Sequence, residues 1–333
     1  MMRAMFKTTG GSLLGVCGLL AVGALGVAWA GPARVKPAGL RVGVVFDTGA
    51  RSLGGFNKMV DQGLTRAVAA TGVAVEVRDG QEGTSRALRL QQVLRQGATM
   101  VVGVGFSFVP DLLALAHTRP DLKLVCLDCA PPPEEKLPPN LLFVSFADDE
   151  AGLLAGLVAG SATKTGHVGF VGAMPAPSQL AFAKGFQSGV HQARVDAAVS
   201  IAWVGRDSQA FAQPARGRAV ASEMFENGMD VVFHVAGGSG QGVFEAARSH
   251  KAMVVGVDAD QDAEAPDLVV ASVEKRLDLA VEQVLKDATS NSFAGGHRRL
   301  GIKEGGVLLV FGAHSPLSKE TRARIQGMVP ANK

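Results

Sequence analysis

From Leu40 onward, two patterns of apolar and polar positions alternate along the chain. One is a short run rich in β-branched and other apolar residues: "RVGVVF" (41–46), "VAVEV" (73–77), "TMVVGVG" (99–105), "LKLVCLD" (122–128) and "LLFVSF" (141–146). The other is a longer stretch with apolar residues at helical spacing, as in "GFNKMVDQGLTRAVAATG" and "TSRALRLQQVLRQG", each closed by a Gly. The first pattern predicts strands buried on both faces, and the second predicts amphipathic helices with a stop signal. The alternation then repeats. Strands are predicted at 167–172, 198–205, 230–238, 252–258 and 268–273, with helices in "QLAFAKGFQSGVHQA", "AQPARGRAVASEMFENG" and "GQGVFEAARSHK".

Strand–helix alternation predicts βαβ units and a parallel sheet covered on both faces. Two such series predict an α/β protein of two similar lobes, each a parallel sheet flanked by helices, with a hinge between them. Between the series lies "DDEAGLLAGLVAGSATKTG", whose Gly and Ala positions allow close helix packing. It reads as the first helix after a crossover between lobes. The expected boundaries are 40–146 plus about 273–296 for lobe 1, and 147–272 plus about 297–330 for lobe 2.

The first 30 residues break the pattern. A short basic start, "MMRAMFK", precedes the apolar "LLGVCGLLAVGALGVAWA", which ends in Ala28-Trp29-Ala30. This predicts a cleaved export signal over 1–30 and a periplasmic mature protein. Retention as a membrane anchor, or lipid attachment at Cys17, are alternatives, although Val16 and a short upstream run suit a lipid signal poorly. The net charge of +3 is largely this leader's, since Arg3 and Lys7 carry two of it. With no basic tract, nucleic acid is not expected as a partner.

Two cysteines remain beyond the leader, Cys126 and Cys129 in "LVCLDCAPPP". A redox C-x-x-C needs a helix N-terminus to lower the thiol pKa, and here the motif closes a strand and runs into three prolines. A small structural disulfide or two buried thiols is the expectation. The histidines are scattered, so no metal site is expected.

The glycine-rich "HVAGGSGQGVFEAA" (234–247) invites a nucleotide reading and fails it. Val243 and Phe244 replace the Lys and hydroxyl of a phosphate loop, and Val243 replaces the third Gly of a dinucleotide fingerprint. Its position matters more. Asp47, Phe106, Asp128, Gly237, Gly238 and Asp258 all follow or end predicted strands. In open α/β sheets that edge binds ligands, so a cleft fed by both lobes is expected. Phe56 and Phe182 lie near helix starts, where two rings could face a flat ligand or serve as ordinary core residues capping the helices.

The residues also carry a family likeness. "VVFDTGARSLGGFNKMVDQGL", "VVGVGFSF", "VSFADDEAGLLAGLVAGSATKTGHVGFVG", "FAKGFQSGV", "VVFHVAGGSGQGVFEAA", "VVGVDADQ" and "SVEKRLDLAV" occur in this order. Together they resemble the basic membrane protein (BMP) family of ABC-transporter substrate-binding proteins, typified by purine-nucleoside receptor lipoproteins. The resemblance covers nearly all of 40–312.

The resemblance implies a type I periplasmic-binding-protein fold and capture of a purine nucleoside for an ABC permease, by a monomer without cofactor or catalysis. It implies Asp47 beside the base, Phe56 and Phe182 as stacking rings, and Asn57, Phe106 and Asp128 in the pocket wall. It implies Gly237, Gly238, Asp258 and Lys275 on the ribose side. The stretch departs from the family at "RSLGGFN" and at Ala181, where relatives commonly carry Arg. Two other readings stay open from the residues alone: a sensing protein for another small molecule such as a sugar, and an exported nucleoside hydrolase. The second is disfavoured because no tight acidic cluster lies near an N-terminal strand.

Overall fold

The computed structural model of the chain describes residues 39–49, 51, 54–80 and 84–328. The expected export signal and Cys17 lie outside the described residues, as does Leu53. In chain order the elements are β1 (Arg41–Phe46), α1 (Gly54–Thr71), β2 (Ala74–Arg78), α2 (Arg86–Arg95), β3 (Met100–Val104), α3 (Val109–Thr118), β4 (Lys123–Leu127), β5 (Leu141–Phe146), α4 (Asp148–Ala162) and β6 (His167–Gly172). They continue with α5 (Pro177–Ala193), β7 (Ala198–Trp203), α6 (Pro214–Glu226), β8 (Val231–Val235), α7 (Gly240–His250), β9 (Met253–Asp258), β10 (Val269–Lys275), α8 (Leu277–Thr289), β11 (Gly296–Leu300), β12 (Val307–Phe311) and α9 (Lys319–Gln326).

The strands form two six-stranded sheets, ordered β11-β5-β4-β3-β1-β2 and β12-β10-β9-β8-β6-β7. Strand for strand the two orders correspond. Central strands such as β3 and β8 are buried at every residue, which is why they read as apolar runs. Each sheet has an apolar layer on both faces. In the first, Val42, Val44 and Val102 face α1 and α8, while Val45, Val101 and Leu124 face α2 and α3. In the second, Phe170 and Phe233 face α4 and α5, while Val171, Val232 and Val254 face α6 and α7.

The α4–α5 contact is unusually close. A Cβ on Gly156 would lie 2.1 Å from Phe186 O, and one on Gly189 would lie 2.1 Å from Leu153 O. Only glycine lets these backbones approach so nearly. The small residues in the sequence of α4 therefore serve packing, and the helix is buried almost all round.

The chain passes between the sheets at Ala147, at Arg276 and through 301–306. Two details differ from the sequence expectation. β12 runs antiparallel to β10, because the chain arrives from the neighbouring sheet by the short 301–306 connection with no crossover helix to reverse it. β11 pairs with β5 in the first sheet, so that sheet extends to Leu300, past the expected limit near 296. "GHRRL" carries no apolar run because β11 is an edge strand whose residues are only partly buried or exposed. The helices α3, α8 and α9 and the strands β11 and β12 were not anticipated by the apolar pattern.

Candidate functional site

Because both sheets are predominantly parallel, their strand ends collect on one edge each, and the two edges face one another. The residues beyond these ends enclose a cavity of ≈ 270 Å³. All residues singled out from the sequence line it. Asp47, Phe56, Asn57, Phe106 and Asp128 come from the first sheet's side; Phe182, Gly237, Gly238, Asp258 and Lys275 come from the second's.

The polar end is built around one ammonium. Lys275 closes β10 and is 3% exposed. Its Nζ lies 2.6 Å from Asp128 Oδ1 and 3.0 Å from Asp148 Oδ1. The Phe146 and Phe182 rings add cation–π contacts at 5.1 and 5.4 Å. These carboxylates hold the Lys275 pKa above its ordinary value despite burial. Burial pushes Asp148 up to about 7 and Asp258 up to about 6, in each case against the attraction of Lys275. Asp128 and Asp258 are topological equivalents, one just beyond β4 and one ending β9. Both have left-handed backbones, with φ of 62° and 67°, a conformation that non-glycine residues adopt only where their surroundings fix it.

Asp47 follows β1 at the other side of the cavity. Arg89, buried at the start of α2, donates from Nη2 to Phe46 O (3.1 Å) and Asp47 O (2.8 Å). Arg86 Nη1 lies 3.6 Å from Asp47 Oδ1. The Asp47 loop is thus held from behind by two cations. Asn57, in the first turn of α1, donates from Nδ2 to Thr48 O at 3.0 Å.

The aromatic residues divide into two groups. Phe56, Phe106 and Phe211 are partly exposed to the cavity. Phe106 and Phe211 approach across it, with ring centroids 6.3 Å apart. Phe182 also lines the cavity but is 2% exposed. Its ring packs 6.1 Å from Phe233 in the second sheet's core.

Phe211 was not found from the sequence. It lies in a single-turn 3-10 helix, Ser208–Ala212, away from any strand end. The only signal was an isolated ring in the polar stretch "DSQAFAQP". The glycine loop explains its position. Ser239 Oγ accepts from Gln213 N and donates to Ala210 O, both at 2.7 Å, clamping the 3-10 turn to the loop. A Cβ on Gly237, whose φ is 55°, would lie 3.1 Å from Phe211 Cδ1. Gly237 and Gly238 therefore seat Phe211, while a Cβ on Gly240 would strike His234 at 2.4 Å and one on Gly242 would strike Pro214 O at 1.9 Å. Gln261, in the "GVDADQ" motif, is a brace: its Oε1 accepts from Val257 N at 2.8 Å and meets His234 Nε2 at 3.0 Å. Burial lowers the His234 pKa to about 4, so the ring is neutral and serves as a packing and hydrogen-bonding group.

The family model described as Bmp, ABC transporter substrate-binding protein PnrA-like, matches residues 40–330. The chain is 31% identical over 231 residues to the ABC transporter nucleoside-binding protein BmpA of Lactococcus lactis subsp. cremoris, covering 64% of each chain. It is 29% identical over 284 residues to basic membrane protein D of Borreliella burgdorferi, covering 84% of this chain and 80% of that one. Among solved structures, an ABC-transporter solute-binding protein from Aeropyrum pernix K1 superimposes with a TM-score of 0.74 at 28% identity, over 87% of this chain and 85% of the other.

Proposed function

The chain belongs to the Bmp family of PnrA-like ABC-transporter substrate-binding proteins, and from that premise we propose that its cleft captures a purine nucleoside and presents it to a membrane permease. The observation that carries this reading is the division of the cavity into an aromatic part and a buried ionic part. Phe56, Phe106 and Phe211 offer partly exposed ring surfaces to a flat base. Lys275 donates, and Asp258 and Asp128 accept, which suits the hydroxyls of a ribose.

This assignment moves one stacking role. Phe182 gives its surface to Phe233, Lys275 and the core, so Phe56 and Phe211 are the rings proposed to flank the base. Asp47 and Asn57 stand beside them for the base edge. A nucleoside carries no phosphate, and the glycine loop, spent on seating Phe211 and on packing, holds no lysine for one. Binding without turnover is part of the same reading, in keeping with the substrate-binding family.

No helix among the described residues is long and apolar enough to cross a membrane. Export by the leader, and action as a monomer outside the cytoplasm, complete the proposal. The test is calorimetry of residues 31–333 with adenosine, guanosine and a hexose. Binding of a nucleoside, weakened in Asp258→Ala and Phe211→Ala, supports the reading. Binding of the hexose alone overturns it in favour of a sugar-binding protein.

A further inference from the structure

Cys126 and Cys129 are joined in a disulfide with a sequence separation of 3, and the two residues held inside that small ring are Leu127 and Asp128. From this placement we infer that the Cys126–Cys129 bridge is a positioning element of the ligand site, which fixes the Asp128 carboxylate on Lys275 and thereby sets ligand affinity. The inference rests on the proposed role of the cleft in binding a nucleoside.

Strand alternation explains how the ring works. Along β4, Val125 and Leu127 face the layer shared with α1 and α8, while Cys126 faces the opposite layer with Phe108 and Leu112. Cys129 returns to that same layer, buried like Cys126. For it to do so the chain must turn sharply between Leu127 and Cys129. Asp128 makes that turn with φ of 62°, a left-handed conformation that costs a residue with a Cβ about 1 kcal/mol or more and persists only where neighbours enforce it. The bridge is a covalent constraint on that turn, added to a conformation that the equivalent Asp258, with φ of 67°, holds without one. Two backbone hydrogen bonds assist: Cys129 N to Val144 O at 3.0 Å and Gly105 N to Leu127 O at 2.9 Å.

The result is a carboxylate aimed at Lys275 Nζ, 2.6 Å away. The second bond extends the effect, because Gly105 immediately precedes Phe106, the ring that meets Phe211 across the cavity. Prolines 131–133 follow the ring and supply no helix N-terminus to activate a thiol. Both sulfurs are buried, Cys126 at 0% and Cys129 at 1% exposure. The bridge is therefore placed to hold geometry, with no exposed thiol poised for exchange chemistry.

A cycle of three variants tests this: Cys126→Ala with Cys129→Ala, Asp128→Asn, and all three changes together, each titrated with adenosine and guanosine by calorimetry. Removing the bridge is expected to weaken binding on the order of 10–100-fold, the scale of one charge-assisted hydrogen bond. Asp128→Asn is expected to do the same, and the triple variant to bind no more weakly than Asp128→Asn. A bridge-free protein that binds as the parent does overturns the inference. So does a triple variant whose losses multiply, because the bridge then acts independently of Asp128.

If the cysteine variants do not fold, the parent refolded in dithiothreitol, with two free thiols confirmed by thiol count, takes their place with the same expected loss. If the parent binds neither nucleoside, the nucleoside reading fails separately. The inference is then judged by the 13Cε resonance of Lys275, which should shift on reduction as it does in Asp128→Asn. An unchanged resonance overturns it.

Discussion

Lys275 and Asp128 meet across the cleft: the ammonium ending β10 of the second sheet lies 2.6 Å from the carboxylate just beyond β4 of the first. Lys275 also reaches Asp148, at the head of α4, at 3.0 Å. Asp148 follows a crossing of the chain between the sheets, and Asp128 lines the cavity between them. Charge and hinge share the same few residues.

Replacing Lys275 by Met should expose that dependence. It leaves buried carboxylates without their cation, a change that costs about 3–5 kcal/mol when one partner of a buried pair is removed. Chemical denaturation should show a loss of that size. Adding Asp148→Asn should restore part of the stability and none of the nucleoside binding.

The two buried carboxylates predict opposite pH trends for folding and binding. Their ordinary pKa is 3.8, and the folded protein raises Asp148 to about 7 and Asp258 to about 6. Between pH 4 and 7 the folded state thus holds protons that the unfolded state has released. Stability must fall as pH rises through that window. The ligand-free protein should be more stable at pH 5 than at pH 8, by roughly 2–4 kcal/mol from these groups. Asp148→Asn should flatten the trend. Nucleoside affinity should do the reverse and weaken below pH 6, as Asp258 loses its capacity to accept from two directions. Melting curves with and without ligand across pH 5–8 check both.

Phe211 and Phe182 should separate cleanly. Phe211→Ala removes a proposed stacking face, worth roughly 1–3 kcal/mol for a base, so affinity should drop about 5–150-fold with little change in melting temperature. Phe182→Ala empties a core site beside Phe233 and should cost about 3–5 kcal/mol of stability. If Phe182→Leu loses affinity while Phe211→Ala does not, the stacking roles must be exchanged.

The α4–α5 contact gives a prediction remote from the ligand. Gly156→Ala would place a methyl 2.1 Å from Phe186 O, and relief requires two helix backbones to separate. A destabilisation of about 1–3 kcal/mol or more is expected, read by urea denaturation.

Much of this was legible in the sequence because burial on both faces leaves an apolar run, and the residue that ends or follows such a run falls beside the cavity. Asp47, Asp128 and Asp258 were found that way. Phe211 was not, since a 3-10 turn has no period and its position depends on Ser239, far away in sequence. Asp148 read as a helix start; its pairing with Lys275 comes from two crossovers lying side by side, which no local pattern encodes. For Phe182 the sequence left a core role and a stacking role both open, because the choice depends on Phe233 of β8, which packs against α5 from far along the chain. The direction of β12 was set by the short 301–306 connection.

The matching strand orders of the two sheets have a consequence for what the cleft can accept. Asp128 and Asp258 occupy equivalent places, but beyond β3 stands Phe106 and beyond the equivalent β8 stand Gly237 and Gly238. The scaffold approximates a twofold repeat whose contents have diverged, with a ring on one side answered on the other by glycines that seat Phe211. A ligand with two like ends would leave half of such a site unmatched. The cleft instead has a polarity, an aromatic pole and an ionic pole, so it can distinguish one orientation of an unsymmetrical guest from its reverse.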